Sequence, residues 1–217
     1  MLNALAYAFV DAVNVLLIGV LVAMAMMLPP GKYRPIAFLL LLGDWLGVLV
    51  LSLIVLLAFD GLKSIVEMVL DSPIFAILLI LTGLVTAYLT LRGGDSSKMV
   101  ERILTPLKTP SWMTVGVGFL LGLVQSVTSV PFFAGLAVLS TSGIPVAERY
   151  LGLLAYATVA LSLPLLAGLS LGVVRHRPQS WIGRVFAKAR ANQERVAKGA
   201  GWLVTVLLIG LGVARLV

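Results

Sequence analysis

Residues 36–59 read IAFLLLLGDWLGVLVLSLIVLLAF, and this stretch decides the fold. It contains one charged residue, Asp44, and no proline. About 20 consecutive apolar residues are enough to cross the hydrocarbon core of a bilayer as a helix. Inside lipid the backbone must satisfy its own hydrogen bonds, which a continuous helix does within one segment. The stretch therefore predicts a transmembrane α-helix.

Five further apolar stretches of similar length flank this one along the chain. They are Leu5–Leu28, Ile74–Leu91, Met113–Leu139, Tyr150–Val174 and Ala200–Leu216. The 217 residues are 60% hydrophobic and 12% charged, with a mean hydropathy of +1.10, whereas soluble domains carry about 25% charged residues. This composition excludes a soluble globular domain. It predicts an all-α polytopic membrane protein with six transmembrane helices.

The basic residues indicate how the six helices are oriented. Thirteen of the sixteen Lys and Arg residues fall in the first, third and fifth connections between the apolar stretches. Because cytoplasmic loops are enriched in Lys and Arg, these connections are predicted to be cytoplasmic, with both termini outside. The net charge of +7 then reflects topology and attraction to the anionic inner leaflet, and no nucleic-acid partner is expected. The predicted location is the plasma (inner) membrane, which the chain crosses several times.

The fifth connection carries an amphipathic basic segment at about residues 178–198. Apolar Trp181 and Val185 interleave there with basic Arg184 and Lys188 at helical spacing. A helix of this kind suits the surface of an anionic leaflet. It is expected either to anchor the topology before the last span or to form a regulatory or lipid-headgroup site.

The chain divides into two halves of three predicted spans, residues 1–91 and 112–217, joined by a polar linker at 92–111. Because three is odd, two related halves would lie in the membrane with opposite orientations, as in many secondary transporters. Three polar residues of each half align at a constant shift of 114 positions. The aligned pairs are Asp11 with Gln125, Asn14 with Thr128, and Asp44 with Thr158. The alignment predicts an inverted 3+3 repeat.

Asp11 and Asp44 are the two acidic residues that lie well within the predicted spans. A charged side chain at the centre of a membrane helix costs about 2.5–3.5 kcal/mol, so each acid needs a role. Asp11 and Asn14 share a helix face because they are three residues apart. With Asp44 they predict a polar cavity that binds a cation, a proton or a cationic group of a substrate. The alternatives are a helix cap at Asp44, after Gly43, and a shallow position of Asp11 near the headgroups.

The fourth span carries a cluster of polar side chains around a proline. Its members are Gln125, Ser126, Thr128, Ser129 and Pro131. Proline inside a span is expected to break or kink the helix, and the freed helix ends and hydroxyls can bind ions or polar groups of a substrate. Packing between helices by small polar residues is the alternative. Thr158, before Pro164, belongs to a weaker version of the same arrangement.

Two glycine pairs at a spacing of four predict close contact between helices. They are Gly118 with Gly122 and Gly168 with Gly172. Small residues at this spacing let helix backbones approach in a membrane. The contact is expected within one protomer or between the protomers of a homo-oligomer.

The chain lacks the residue patterns that enzymatic chemistry requires. His176 is its one histidine, and it has no cysteine. It contains no HExxH zinc motif and no phosphate-binding glycine loop with lysine. An enzyme is therefore not expected, nor a resident metal, nor another cofactor, nor ATP-driven transport by this chain alone.

Asp11-Ala12-Val13-Asn14 in the first span and Ser129-Val130-Pro131 in the fourth resemble motifs of the LysE superfamily of six-helix exporters. The chain is most similar to its branch of lipid-addressing proteins called GAP or Sap. The resemblance covers the whole chain, and it implies an inverted repeat and export of a small polar solute or a cell-envelope lipid. Val15 stands where the family often has proline. The lack of cysteine separates the chain from the redox-relay CcdA members.

The function expected from these features is secondary transport by alternating access, in an exporter coupled to protons or to a cation. The polar residues of the first half would face those of the second across a site at the midplane. A non-transporting scaffold, an assembly subunit of an envelope lipid machine, stays open as a function of another class. A lipid-handling protein with a lateral opening between helices is a third interpretation.

Overall fold

The computed structural model describes residues 2–29, 31–92, 107, 109–176 and 179–214. In these ranges the chain forms eleven α-helices and no strand. They are α1 (Leu2–Asp11), α2 (Val15–Met27), α3 (Tyr33–Gly61), α4 (Lys63–Asp71), α5 (Pro73–Arg92), α6 (Trp112–Val127), α7 (Val130–Ser140), α8 (Val146–Ala160), α9 (Ser162–His176), α10 (Trp181–Ala191) and α11 (Gln193–Val213).

Two helical segments, Tyr33–Gly61 and Phe75–Arg92, are each long and apolar enough to cross a membrane alone. Three pairs of consecutive helices meet the same criteria when each pair is one bent span: α1 with α2, α6 with α7, and α8 with α9. The described chain thus holds two to five helices or helix pairs of spanning length, as a helical membrane protein does. The predicted sixth span lies on α11, where the apolar part Trp202–Val213 is shorter.

The first bent helix pair breaks between Asp11 and Val15, and its two helix axes differ by 47°. Asn14 caps α2, because its Oδ1 accepts a hydrogen bond from the backbone N–H of Leu17 at 2.8 Å. Such a cap satisfies one of the unpaired N–H groups that begin every helix. The break therefore forms without a proline, since Val15 follows Asn14.

The second break, between α6 and α7, is the sharpest at 77°. Ser129 caps α7 by accepting a hydrogen bond from the backbone N–H of Phe132 at 3.2 Å. Pro131 lies in the first turn of α7, where a missing N–H costs nothing. A third break, of 43°, precedes α9, which has Pro164 in its first turn. The predicted effect of both prolines is confirmed, since each lies at a break.

The backbones of α3 and α6 touch along a glycine seam. A Cβ built on Gly118 would lie 2.1 Å from the carbonyl oxygen of Leu40, and one built on Gly122 would lie 2.3 Å from that of Asp44. Two glycines of α3 approach the backbone of α6 as closely. The contacts advance in the same direction along both helices, so α3 and α6 run parallel. The packing role predicted for Gly118 and Gly122 is confirmed, and it operates within the protomer.

The last helix, α11, packs against α5. A Cβ on Gly83 would lie 2.7 Å from the side chain of Ile209, and one on Gly212 would lie 2.7 Å from that of Ile80. Because the order of these contacts reverses between the two helices, α5 and α11 are antiparallel. The helix begins at Gln193, ahead of the predicted start of the sixth span at residue 200.

The predicted amphipathic segment at 178–198 is divided at Asn192 between α10 and the first turns of α11. Both the apolar Trp181 and Val185 and the basic Arg184 and Lys188 are exposed on α10. Most of the predicted linker at 92–111 lies outside the described residues, as do residue 178 and the predicted end of the sixth span.

Three buried apolar clusters form the core of the described residues, and two of them follow one another along the helices with the helix breaks between them. The third comprises the buried residues Tyr7, Val10, Val66, Leu70, Phe75, Leu79, Ala134, Ala137 and Leu208. The Leu21 cluster comprises the buried residues Leu17, Val20, Leu21, Met24, Tyr33, Ile36, Ala37, Leu40, Leu41, Leu107, Leu121 and Leu171. The Phe132 cluster comprises the buried residues Ala4, Ala8, Val48, Leu56, Phe132, Leu136, Leu139, Leu153, Tyr156, Ala157 and Ala160.

Candidate functional site

Polar side chains of the bent helix pairs and of α3 form a layer between the Leu21 cluster and the Phe132 cluster. On α3, for example, Asp44 lies between Leu41 of the Leu21 cluster and Val48 of the Phe132 cluster. The polar layer comprises Asp11, Asn14, Asp44, Ser126 and Ser129. All of these are buried except Ser129, which is half-buried. The layer lies where the two capped helix breaks meet α3.

Asp11, the last residue of α1, is 6% exposed. Its Oδ1 accepts a hydrogen bond from the hydroxyl of Ser129, so the residue that caps α7 also joins the two bent helix pairs. Its Oδ2 has no hydrogen-bond partner among the described residues. Tyr156 is close enough to Asp11 for an electrostatic interaction, and its hydroxyl donates to the carbonyl oxygen of Pro131 at 3.4 Å. Asp11 is thus held on one side and unpartnered on the other.

Asp44 enters the same layer from α3 and is 2% exposed. Its Oδ1 is also without a hydrogen-bond partner in the part of the chain that the structure describes. Since α3 continues through Gly43, Asp44 caps no helix end. Asp44 and Asp11 interact electrostatically. Two carboxylates in a layer shielded from water would repel each other, and a cation or a shared proton would balance that repulsion.

Two serine hydroxyls add to the unpartnered atoms near this layer. The Oγ atoms of Ser126 and Ser162 are buried and have no hydrogen-bond partner within the described ranges. Ser162 begins α9 and follows Ala160 of the Phe132 cluster along the chain. Most buried polar atoms in proteins are hydrogen-bonded, so such atoms call for an explanation. Hydroxyls and carboxyls from several segments could together bind an ion, a water molecule or a polar group.

Other predicted site residues lie at the edge of the layer or outside it. Thr128 is exposed, and its hydroxyl donates to two carbonyl oxygens at the end of α6, at 3.0 and 2.9 Å. Thr158 is exposed and accepts a hydrogen bond from the indole N–H of Trp45 at 3.3 Å. Gln125 is half-buried and Pro131 is buried. The two threonines therefore do not join the buried carboxyls.

A second polar cluster, which the sequence did not reveal, lies beyond the Phe132 cluster. Asp60 Oδ1 accepts hydrogen bonds from Arg149 Nη1 at 2.8 Å and from the hydroxyl of Ser140 at 3.1 Å. Arg149 Nη1 also donates to the carbonyl oxygen of Ser140 at 2.8 Å. The cluster joins the ends of α3 and α7 to the start of α8. No local pattern relates Asp60 to Arg149, which lies 89 positions away.

Arg175 makes the corresponding contact beyond the Leu21 cluster. Its guanidinium donates to the carbonyl oxygen of Ala25 and, at 2.7 Å, to that of Leu28. It also lies over the ring of Tyr33, 5.6 Å from the ring centroid. The tyrosine hydroxyl donates to the carbonyl oxygen of Gly168 at 3.2 Å. The polar layer is therefore enclosed on each side by an apolar cluster and then by a polar contact.

In the ranges that the structure describes, no three His, Cys, Asp or Glu side chains are grouped to hold a metal ion. Comparisons of the chain with protein-family models, with curated proteins and with solved structures find no match. The resemblance to the LysE superfamily therefore stays a prediction that rests on the sequence motifs.

Proposed function

We propose that the chain is a secondary transporter of the exporter type, whose substrate or coupling ion binds between Asp11 and Asp44. The observation that carries the proposal is this pair of buried carboxyls, from two different spans, each with one oxygen that no described residue binds. Burying an uncompensated charge is expensive, and intramembrane acids commonly mark ion or substrate pathways. A proton, a cation or a cationic group of the substrate fits both the charge and the location.

An inverted repeat of residues 1–91 and 112–217 accounts for the two capped breaks. The caps Asn14 and Ser129 are 115 positions apart, within one residue of the shift that aligns the polar residues of the two halves. In each half the first span is a broken helix whose second part begins at a polar cap. Broken helices flank the binding sites of many inverted-repeat transporters, because their free ends bind ions and polar groups.

The relative directions of the helices support six spans. If six spans alternate in direction, the second and fourth are parallel and the third and sixth are antiparallel. The parallel pair α3–α6 and the antiparallel pair α5–α11 fit this arrangement. The contact of Arg175 with Leu28 fits a common side for the first and fifth connections. Their basic residues favour the cytoplasmic side of the plasma (inner) membrane, which leaves both termini outside.

Alternating access would use the two apolar clusters as barriers. Opening the Leu21 cluster would expose the polar layer to one side of the membrane, and opening the Phe132 cluster would expose it to the other. The contacts of Arg175 with Leu28 and of Arg149 with Asp60 are the polar links that these openings would break. The resemblance to the LysE superfamily favours a small polar solute or a cell-envelope lipid as the exported substrate.

The test is transport by the full-length protein in proteoliposomes that enclose a pH-sensitive dye. Amino acids, small cations and membrane lipid extracts would be added in turn, and wild-type protein is expected to move protons with a transported compound. Asp11→Asn and Asp44→Asn remove a charge at nearly constant volume and are expected to abolish this movement. Asp71→Asn, at the exposed end of α4, is the matched control. Wild-type movement in both layer variants, at wild-type folding levels, would overturn the acid-pair mechanism.

The second candidate is a non-transporting scaffold, an assembly subunit of an envelope lipid machine. The enclosure of Asp11 and Asp44 by protein favours it, because their side chains are only 6% and 2% exposed. The exposed apolar side chains of α10 would then contact a partner or a second copy of the chain. A scaffold is expected to co-purify as a stable complex and to move no compound in any variant. Transport by the chain alone in proteoliposomes excludes this candidate.

A further inference from the structure

An open cleft of about 260 Å³ lies where the ends of α2 and α9 meet the start of α3. Its walls include Leu28, Tyr33, Arg34, Arg175 and His176. The volume is just below the ~300–1,000 Å³ of pockets that bind drug-sized ligands. The cleft therefore suits a small group rather than a whole lipid or peptide.

The lining of this cleft carries positive charge without a matching acid. Arg34, Arg175 and His176 line it, and among the described residues no Asp or Glu does so. Arg34 and His176 are both exposed and line the cleft. Arginine presents five N–H donors in a planar fork that matches phosphate and carboxylate oxygens. The chemistry of the cleft is that of an anion site.

Arg175 is held in position before any ligand arrives. Two of its terminal N–H groups bind the carbonyl oxygens of Ala25 and Leu28, and its guanidinium lies over the ring of Tyr33. The remaining donors of the guanidinium are left for a ligand. Because the side chain is already ordered, binding costs little further conformational entropy.

The rim of the cleft is apolar where it meets the outer surface of the helices. Met26, a lining residue, is 53% exposed, and its neighbour Met27 is 65% exposed. Phe38 is 66% exposed, one turn along α3 from Arg34 and on the same face. Basic groups next to exposed apolar side chains at the end of a spanning helix match the headgroup and acyl regions of a phospholipid.

The geometry points to a binding site for a phosphoryl group in this cleft, held by Arg34, Arg175 and His176. The group is carried either by the headgroup of an anionic phospholipid or by a soluble phosphate ester. Arg175 already joins α9 to α2, so a bound phosphoryl group would add Arg34 of α3 to that contact. The site is separate from the buried acid pair, and its occupancy does not depend on whether the chain transports a substrate.

The test measures binding by thermal unfolding of the full-length protein in a zwitterionic detergent. Short-chain phosphatidylglycerol is titrated against phosphatidylcholine, and sodium phosphate against sodium chloride at equal ionic strength. Arg34→Gln removes one cleft charge from an exposed side chain, and Lys188→Gln on α10 removes one charge away from the cleft lining. Arg34→Gln is expected to weaken phosphatidylglycerol binding about tenfold, as loss of one charged hydrogen bond does. Lys188→Gln is expected to leave it unchanged.

The two sources of the phosphoryl group give different results. Stabilisation by phosphate that is lost in Arg34→Gln supports a soluble phosphate ester. Stabilisation by phosphatidylglycerol alone, again lost in Arg34→Gln, supports a lipid headgroup. Equal binding of the two lipids that Arg34→Gln does not weaken, without any effect of phosphate, overturns the site. A loss in Lys188→Gln as large as that in Arg34→Gln also overturns it, because general surface charge would then explain the binding.

Discussion

Replacing Gly118 with alanine tests the glycine seam between α3 and α6. The added Cβ would lie 2.1 Å from the carbonyl oxygen of Leu40 and 3.0 Å from the backbone nitrogen of Asp44. Real Cβ atoms essentially never approach another heavy atom within 3.0 Å, so the helices must separate by at least the difference, 0.9 Å. Backbone atoms cannot rotate away as a flexible side chain can, so the seam must open.

The expected cost follows from overpacking in cores. Extra methyl groups in a well-packed interior typically destabilise by about 1–3 kcal/mol, and a clash with backbone belongs at the upper end of that range. Gly116→Ala is the matched control, because it lies on the same helix and its added Cβ meets nothing within 4 Å. Because alanine favours a helix more than glycine does, Gly116→Ala should be more stable than wild type by up to about 1 kcal/mol. The two variants should therefore differ by about 3–4 kcal/mol in stability.

Thermal unfolding in one detergent, followed by tryptophan fluorescence, measures this difference. Gly118→Ala is expected to unfold at a clearly lower temperature than wild type, and Gly116→Ala at the same or a higher temperature. Equal unfolding temperatures for the two variants would refute the seam, since they would mean that the backbones of α3 and α6 do not touch at Gly118.

Three further predictions concern single side chains, each measured by the same unfolding assay. Asn14→Ala removes the cap of α2 and should cost about 1 kcal/mol, while Asn14→Ser, whose hydroxyl can also cap a helix, should retain most of the stability. Ser129→Ala removes both the cap of α7 and the hydrogen bond to Asp11, so it should cost about 2 kcal/mol, and Ser129→Thr should restore most of it. Arg149→Met leaves Asp60 without its ionic partner and should cost about 3 kcal/mol. Adding Asp60→Asn removes the unpaired charge and should recover part of that loss. The cap assignments fail if alanine at either position is neutral, and an additive double-mutant cycle would exclude coupling between Asp60 and Arg149.

The long apolar helices were predictable because the thickness of a bilayer sets a length that hydropathy alone can locate. Residues 36–59 and 74–91 fall within α3 and α5. Pro131 and Pro164 were equally informative, since proline removes a backbone donor whatever surrounds it. The break at Asn14 was not predicted, because an asparagine within an apolar run is as consistent with a ligand site as with a cap. The hydrogen bond from the backbone N–H of Leu17 to Asn14 Oδ1 shows that the asparagine is a cap. The sequence alone does not show this bond.

The candidate site was predictable as far as residue type determines burial. Asp11 and Asp44 stood out because an acid in an apolar run needs compensation, and both are in the polar layer. Thr128 and Thr158 were expected there and are exposed instead. A serine or threonine can satisfy its hydroxyl on its own helix, as Thr128 does, so its presence in a span does not indicate which way it faces.

Contacts between distant segments were beyond the reach of sequence patterns. The partners of Asp60 depend on which helices pack together, and its distance of 89 positions from Arg149 gives no local signal. Gly43 and Gly47 have the same spacing as the predicted glycine pairs and let the backbone of α6 approach α3. The sequence does not indicate which helix packs against them. In both cases the missing information was the identity of the neighbouring helix.

The two apolar clusters have a consequence for the electrical resistance of the membrane. An ion that took the proposed route through the protein would meet the Leu21 cluster and the Phe132 cluster in series, one on each side of the polar layer. Loosening one of them by mutation leaves the other as an insulator, so the voltage across the bilayer should persist. A conductive leak requires both regions to be open at the same moment. Damage to both clusters should therefore collapse the membrane potential. Damage to one cluster alone should leave the membrane potential unchanged.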